Sequence, residues 1–134
     1  IAVTAPVFAA GPAPKPLYRD QKYDGAADPV VVWNRAEKSW LMFYTNRRAN
    51  VPGLSGVAWV HGTPIGLAES RDGGVTWKYT GDANIVLPPD IGGPEQTLWA
   101  PDVITTPDSL VVQGKTTTAA STSMPMAMAR PPRL

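Results

Sequence analysis

Residues 23–33, YDGAADPVVVW, mark the point where the chain first turns into a strand. Asp28 stands directly before Pro29, and the valines 30–32 follow. Proline fixes its own φ and biases the preceding residue toward extended geometry, so this segment predicts a turn-to-strand entry rather than a helix start. β-Branched residues favour strands. The pattern therefore predicts a carboxylate at the start of a buried strand, where a catalytic base could act.

Further strand patterns follow along the chain. The polar turn NRAEKS separates the first strand from the aromatic-rich run WLMFYTN, which predicts an antiparallel hairpin. The next apolar stretch contains GVAWVHG and PIGLAES, and it predicts either two short strands or one strand interrupted at residues 62–64. A tight turn then leads into TWKYT. Short strands separated by turn residues predict an all-β, meander-connected sheet.

The turn SRDGGVTW, residues 70–77, resembles the Asp-box, S-x-D-x-G-x-T-W, which lies between outer strands of β-propeller blades in sialidases and other propellers. Asp72 can accept hydrogen bonds from backbone N–H groups of the turn, and its glycines allow positive φ. Trp77 is expected to pack into the blade, as are Trp40 and Trp59. The motif indicates a fold and has no catalytic content of its own. A chance hairpin is the alternative, because Asp-Gly pairs are common in turns.

Composition limits the function classes. The chain has 134 residues, 43% of them hydrophobic, which suits one domain. Its net charge of +1, with both signs interspersed, indicates neither a nucleic-acid nor a membrane partner. The absence of cysteine excludes disulfides and thiolate zinc sites. A single histidine and no ligand cluster predict no metal site, and no cofactor is expected, although a structural calcium ion in a full-length protein stays open.

A second strand that begins near an acidic residue is predicted in TLWAPDVIT, residues 97–105. Asp102 follows Pro101 and precedes the β-branched pair Val103 and Ile104. This segment and DPVVVW are interpreted as the innermost strands of successive propeller blades. In such a fold the carboxylates of Asp28 and Asp102 would converge at the central channel.

The order of the motifs DP, W-x-M-F-Y-T, the Asp-box turn and W-A-P-D-V is similar to the N-terminal blades of glycoside hydrolase family 43, a family of five-bladed β-propellers. The resemblance covers roughly residues 23–105. It implies an inverting glycosidase that acts on a polysaccharide or oligosaccharide, with Asp28 as general base. It also implies that Trp99 and Asp102 line the sugar subsite. The family's general acid and its second, pKa-modulating Asp belong to later blades.

Alternatives stay open at this point. Arg47 is assigned to substrate binding because it could reach a carboxylate or hydroxyls from the top of the first blade; the same holds for Arg48, and a solvated turn is the simpler interpretation. A sialidase-like propeller would require converging arginines. A non-catalytic carbohydrate-binding propeller would use Asp28 only to satisfy backbone groups.

The chain divides into three predicted regions. Residues 1–16 are a signal-peptide remnant or a flexible extension, which favours a secreted or periplasmic protein. Residues 17–105 form the N-terminal part of a β-propeller, about one blade plus the start of the second. Residues 106–134 lack aromatic side chains and are expected to be a frame-shifted or disordered tail. Such a fragment would have open sheet edges, and we expect it to be inactive.

Overall fold

The computed structural model of the protein describes residues 15–85, 97–105 and 110–117, and for 110–117 it describes the backbone. The elements in these ranges are strands apart from one short 3-10 helix, so the prediction of an all-β chain is confirmed. In order they are β1 (Ala26–Asn34), β2 (Ser39–Asn46), the 3-10 helix (Ala58–Val60), β3 (Ile65–Ser70), β4 (Lys78–Asp82), β5 (Thr97–Thr105) and β6 (Leu110–Thr117).

The strands form two sheets. The first has four strands in the order β1-β2-β3-β4, and each neighbouring pair is antiparallel. The second consists of β5 and β6, which are also antiparallel. Consecutive strands are neighbours throughout the first sheet, which confirms the predicted meander. That this sheet is a propeller blade stays a prediction.

The β1–β2 hairpin is closed by the turn that its polar residues predicted. Asn34 Oδ1 accepts hydrogen bonds from the backbone N–H of Ala36 at 3.1 Å and of Glu37 at 3.4 Å, a local arrangement typical of asparagine in turns. The hairpin register then places Trp33 opposite Trp40, with ring centroids 5.2 Å apart in an edge-to-face arrangement. The aromatic pair therefore supports the register of the hairpin from one face.

Strand β2 is the centre of the molecule because both of its faces are buried. On one face Phe43 packs with Ile65 and with Leu98 of β5, so this core lies between the two sheets. On the other face Met42 packs with Tyr44 and Ala68. Side chains alternate between the two faces of a strand, and β2 is therefore apolar along most of its length.

The cluster of Met42, Tyr44 and Ala68, called the outer core below, is covered by the segment before β1. The Tyr44 hydroxyl donates a hydrogen bond to Asp20 Oδ2 and lies 3.0 Å from the Tyr18 hydroxyl. Asp20 is itself buried, and its Oδ1 accepts from the backbone N–H of Lys22 and Tyr23. Burial and the hydrogen bond to Asp20 raise the pKa of Tyr44 far above its usual range. This network ties residues 18–23 to the sheet.

Strand β1 differs from the prediction of a buried strand. It forms one edge of the first sheet, and Val31 and Trp33 are 43% and 40% exposed. Its carboxylate residue Asp28 is also exposed. β-Branched residues predict a strand but do not indicate how many neighbouring strands it has. The prediction of a strand is therefore correct, and the prediction that this strand is buried is wrong.

The apolar segment before β3 is a helical turn rather than a strand. Val60 N–H donates to Val57 O, and His61 N–H donates to Ala58 O, so the backbone hydrogen bonds are local. Glycines at both ends of this segment, Gly56 and Gly62, have positive φ values of 58° and 64° and reverse the chain direction there. Both predicted arrangements counted this segment as strand and are wrong there; only the part at residues 65–70 forms a strand.

The predicted Asp-box turn has the hydrogen bonds that its residues suggested. Asp72 accepts from the Thr76 backbone N–H at 2.9 Å and from the hydroxyls of Thr76 and Ser70. Trp77 Nε1 donates to Gly74 O at 3.0 Å, and the indole packs against the outer core. The Thr76 hydroxyl and amide, followed by the Ser70 hydroxyl, lower the pKa of Asp72 to about 2. Trp40, which was also expected in the core, is instead 36% exposed.

The predicted regions at the two ends of the chain fall largely outside the described residues. Residues 1–14 of the predicted extension and residues 106–109 and 118–134 of the predicted tail are not among them. Residues 110–117 do belong to that tail, and they form β6, which pairs with β5. This part of the tail therefore has regular structure, and the change of reading frame stays a prediction.

Candidate functional site

Asp28 lies at a bulge near the start of β1. The pairing of β1 with β2 shifts in register between Ala27 and Val30, so Asp28 and Pro29 have no direct partners on β2. Asp28 has a φ of 48°, so the predicted extended geometry of this residue is wrong; few residues other than glycine adopt this conformation. Proline is tolerated at bulges because no ladder hydrogen bond is lost there. The carboxylate is therefore presented outside the regular ladder by a constrained piece of backbone.

Strand β5 has a bulge of the same kind. Its pairing with β6 shifts between Trp99 and Asp102, and the residues between them are Ala100 and Pro101. Ala100 has the same φ of 48° as Asp28, and each of the two residues precedes a proline. The position in β5 that corresponds to Asp28 is therefore Ala100, and Asp102 lies two residues beyond it along the strand.

Thr45 connects the two bulges. Its hydroxyl oxygen accepts a hydrogen bond from the Ala100 backbone N–H at 2.8 Å. The same hydroxyl donates toward Asp28 Oδ2 at 3.5 Å, a long and weak contact. Thr45 is only 2% exposed, so its hydroxyl depends on these two groups for hydrogen bonds. The DP and WAPD segments, which are far apart in sequence, thus meet through one buried side chain.

A second set of hydrogen bonds fixes the beginning of β5. Leu98 N–H donates to Thr63 O, and the Thr63 hydroxyl donates to Leu98 O, both at 2.9 Å. Gly62 N–H donates to the Thr97 hydroxyl at 3.0 Å. Thr63 and Thr97 are both buried. The backbone on either side of Trp99 is therefore anchored to the first sheet, to the loop before β3 and to Thr45.

The predicted subsite residues of β5 lie on its exposed side. Trp99 is 41% exposed, and a half-exposed indole on an anchored backbone is suited to stacking on a sugar ring. Asp102 is also exposed, and its Oδ1 accepts a hydrogen bond from the Val103 backbone N–H at 2.8 Å. The convergence of Asp28 with Asp102 stays a prediction; the connection that the hydrogen bonds establish is between Asp28 and Ala100.

The predicted binding residue Arg47 lines a cavity of about 340 Å³ beyond the end of β2. Its guanidinium carbon lies 5.1 Å from the centre of the Trp59 ring, and its Nε donates to Gly25 O at 3.3 Å. The side chains lining the cavity are those of Arg47, Arg48, Ala49, Val51, Leu54 and Trp59. Trp59 therefore belongs to this cavity rather than to a sheet core.

The cavity and Asp28 are at the same end of the first sheet. Ala26 pairs with Asn46 and Ala27 pairs with Thr45, so β1 begins where β2 ends. Arg47 follows directly after β2, and Asp28 follows directly after Ala27. The first sheet therefore carries both at one end.

Some buried polar atoms at this end of the sheet have no hydrogen-bond partner among the described residues. They include both side-chain polar atoms of Asn46, which is fully buried, and the Nε of Arg48. Sequence reasoning identified Asp28 and Arg47 but missed Thr45 and Thr63. Threonine in a strand is ordinary, and nothing in the local sequence indicates that its hydroxyl will meet a distant backbone group.

Within residues 15–85 and 97–105, no group of three or more His, Asp or Glu side chains is arranged to hold a metal ion. In the same part of the chain, no helix is long and apolar enough to span a membrane. No protein-family model matches the chain, and no curated protein matches it significantly.

Proposed function

We propose that the protein is a glycosidase of the family 43 type, which hydrolyses O-glycosidic bonds in a polysaccharide or oligosaccharide with inversion, and that Asp28 is its general base. The observation that carries this proposal is the contact from Asp28 through Thr45 to the backbone of Ala100. It joins the two motifs on which the resemblance depends. In this proposal the first sheet is the first blade of a propeller, and β5 begins the second.

The chemistry of inversion fits the surroundings of Asp28. A carboxylate base must accept a proton from a water molecule, and the water must fit between the base and the sugar. Asp28 is exposed, and its Oδ2 faces the Thr45 hydroxyl, while its Oδ1 has no partner among the described residues. One oxygen can therefore be positioned by Thr45 while the other receives the proton.

The conformation of Asp28 also supports a functional role. A non-glycine residue with positive φ costs free energy, and such residues cluster at functional sites. Aspartate tolerates this region better than most residues do, so the argument is strengthened by Ala100, which adopts the same φ without that advantage. In the proposed enzyme these two bulges shape the subsite, and Trp99 stacks on the sugar.

A glycosyl fluoride tests the base directly, because fluoride departs without needing protonation by a general acid. The chain lacks the later blades that carry the family's general acid, so it is expected to be inactive on glycosides, but hydrolysis of a fluoride needs only the base. We therefore expect the chain to hydrolyse at least one member of a panel of pentosyl and hexosyl fluorides. Asp28→Asn should lower the rate by about 10²–10⁴-fold, the usual contribution of general acid–base catalysis. Proton NMR of the first-formed sugar should show inversion at the anomeric carbon.

The matched control is Asp24→Asn. Asp24 is likewise exposed and has a φ of 52°, but it pairs with Arg19 away from the bulge, so this variant should keep the wild-type rate. Equal rates for Asp28→Asn and wild type would contradict the proposal. Oligosaccharide binding without any hydrolysis would instead support a non-catalytic carbohydrate-binding protein, and release of sialic acid with retention would support a sialidase.

A further inference from the structure

The cavity beyond β2 contains two guanidinium groups, those of Arg47 and Arg48. Arg19 pairs with Asp24, and Arg71 pairs with Glu37 and Glu69. Within residues 15–85 and 97–105, neither Arg47 nor Arg48 forms an ion pair with a carboxylate, although both are partly buried. Adjacent positive charges in a concave, partly desolvated site attract an anion more strongly than the same charges in open solvent.

Arg47 is held in a conformation that leaves its terminal nitrogens available. Its guanidinium lies over the Trp59 ring, and its Nε is used by Gly25 O. Both Nη groups have no hydrogen-bond partner among the described residues. Stacking and one backbone contact therefore fix the plane of the group, so less side-chain entropy is lost when a ligand binds.

Arg48 contributes a donor that has no acceptor within the described part of the chain. Its Nη2 donates to Ala58 O at 2.7 Å, which anchors the side chain to the 3-10 helix. Its Nε is buried and has no partner among the described residues. A buried N–H without an acceptor is unfavourable, and an acceptor supplied by a ligand would remove that cost.

We propose that this cavity binds the carboxylate of an acidic sugar, so that the glycan substrate contains a uronic acid. That the acidic sugar is part of a substrate rests on the proposed glycosidase function. The binding of a carboxylate in this cavity is argued from the geometry of the cavity alone. A planar carboxylate matches the fork of a guanidinium, and Val51 and Leu54 supply apolar surface for the C–H groups of a sugar ring. The cavity, of about 340 Å³, is open to solvent on one side, so a sugar within a longer glycan could enter it.

Binding is measured by NMR titration of the chain with galacturonate and glucuronate, each beside its neutral counterpart, galactose or glucose. We expect each uronate to bind at least tenfold more tightly than its neutral counterpart. Arg47→Gln should abolish this preference, and Arg47→Lys should keep only part of it, because lysine retains the charge without the fork. The matched control is Arg35→Gln, which removes an exposed arginine of the β1–β2 turn and should leave binding unchanged.

Outcomes separate this inference from the glycosidase proposal. Equal affinity for uronates and neutral sugars overturns the inference, as does uronate binding that survives both Arg47→Gln and Arg48→Gln. Tighter binding of galactose 6-sulfate than of galacturonate overturns the assignment of a carboxylate. Asp28→Asn should retain the uronate preference, so loss of hydrolysis with intact binding supports both proposals. Uronate binding by a chain that hydrolyses no glycosyl fluoride supports the cavity and contradicts the enzyme.

Discussion

Replacing Thr45 with valine tests the contact that joins the two sheets. Valine has a similar shape but no hydroxyl, so the Ala100 N–H, 2.8 Å from Thr45 Oγ1, would lose its acceptor. Leaving a buried donor unsatisfied costs roughly 1–3 kcal/mol. The contact from Thr45 to Asp28 is 3.5 Å long and adds little to this cost. We therefore expect a loss of about 1–3 kcal/mol in the free energy of unfolding.

Urea unfolding followed by tryptophan fluorescence measures this change. With a urea dependence of roughly 1–3 kcal/mol/M, the midpoint should fall by about 1 M. Thr45→Ser keeps the hydroxyl and serves as the matched control; it should lose less stability than Thr45→Val. Hydrogen exchange adds a local readout, because the Ala100 amide should exchange faster in Thr45→Val than in Thr45→Ser. Unchanged stability and unchanged Ala100 exchange in Thr45→Val would refute the reasoning.

Three further predictions concern the sheet and its turns. Tyr44→Phe should destabilise the protein by roughly 1–3 kcal/mol in urea unfolding, because buried Asp20 loses its hydrogen bond from the Tyr44 hydroxyl. Gly66→Ala should lower the free energy of unfolding by about 1–3 kcal/mol, since a Cβ at this position would overlap the buried Tyr44 ring. A urea midpoint equal to that of the wild type would show instead that the ring can move aside. The pKa of Asp72 is held at about 2, below its unfolded value of roughly 3.9, so the stability it contributes is present above about pH 4 and is lost as the pH falls through about 2. The difference in unfolding midpoint between wild type and Asp72→Asn should therefore narrow over that pH range, and a constant difference would contradict the assignment.

The order of strands could be predicted from the sequence because the turns between them carry clear signals. Asn34 begins the turn between β1 and β2, and the glycines of the Asp-box allow the turn between β3 and β4, so these two pairs could be predicted. Burial was harder to predict. Residues 30–32 are three valines, yet they lie on an edge strand, while the mixed sequence of β2 is buried on both faces. Burial depends on which elements cover a strand, and those are distant in sequence.

The segment at residues 57–61 shows a related limit. Its apolar residues favoured a strand, but their backbone hydrogen bonds are local, and Trp59 contacts Arg47 instead of a sheet core. The flanking glycines indicated that regular secondary structure is interrupted at both ends of this segment, but not which conformation the segment adopts between them. The competing interaction is tertiary, and it overrides the local preference.

The candidate site was only partly visible in the sequence. Asp28 could be found because a carboxylate before proline at a strand entry is a local pattern. Thr45 could not, because the backbone group that it binds lies 55 residues further along the chain. The correspondence between Asp28 and Ala100 likewise appears only when the two bulges and their φ values are compared.

The most direct test of the central claim is azide rescue of Asp28→Ala on a glycosyl fluoride substrate. Azide is a nucleophile that needs no deprotonation, so it can replace a water molecule that has lost its base. If Asp28 is the general base, the variant should be slow in buffer, azide should restore turnover, and the product should be a glycosyl azide of inverted configuration. Wild-type turnover without azide, or a variant that azide does not accelerate, would contradict the assignment of Asp28 as the catalytic base.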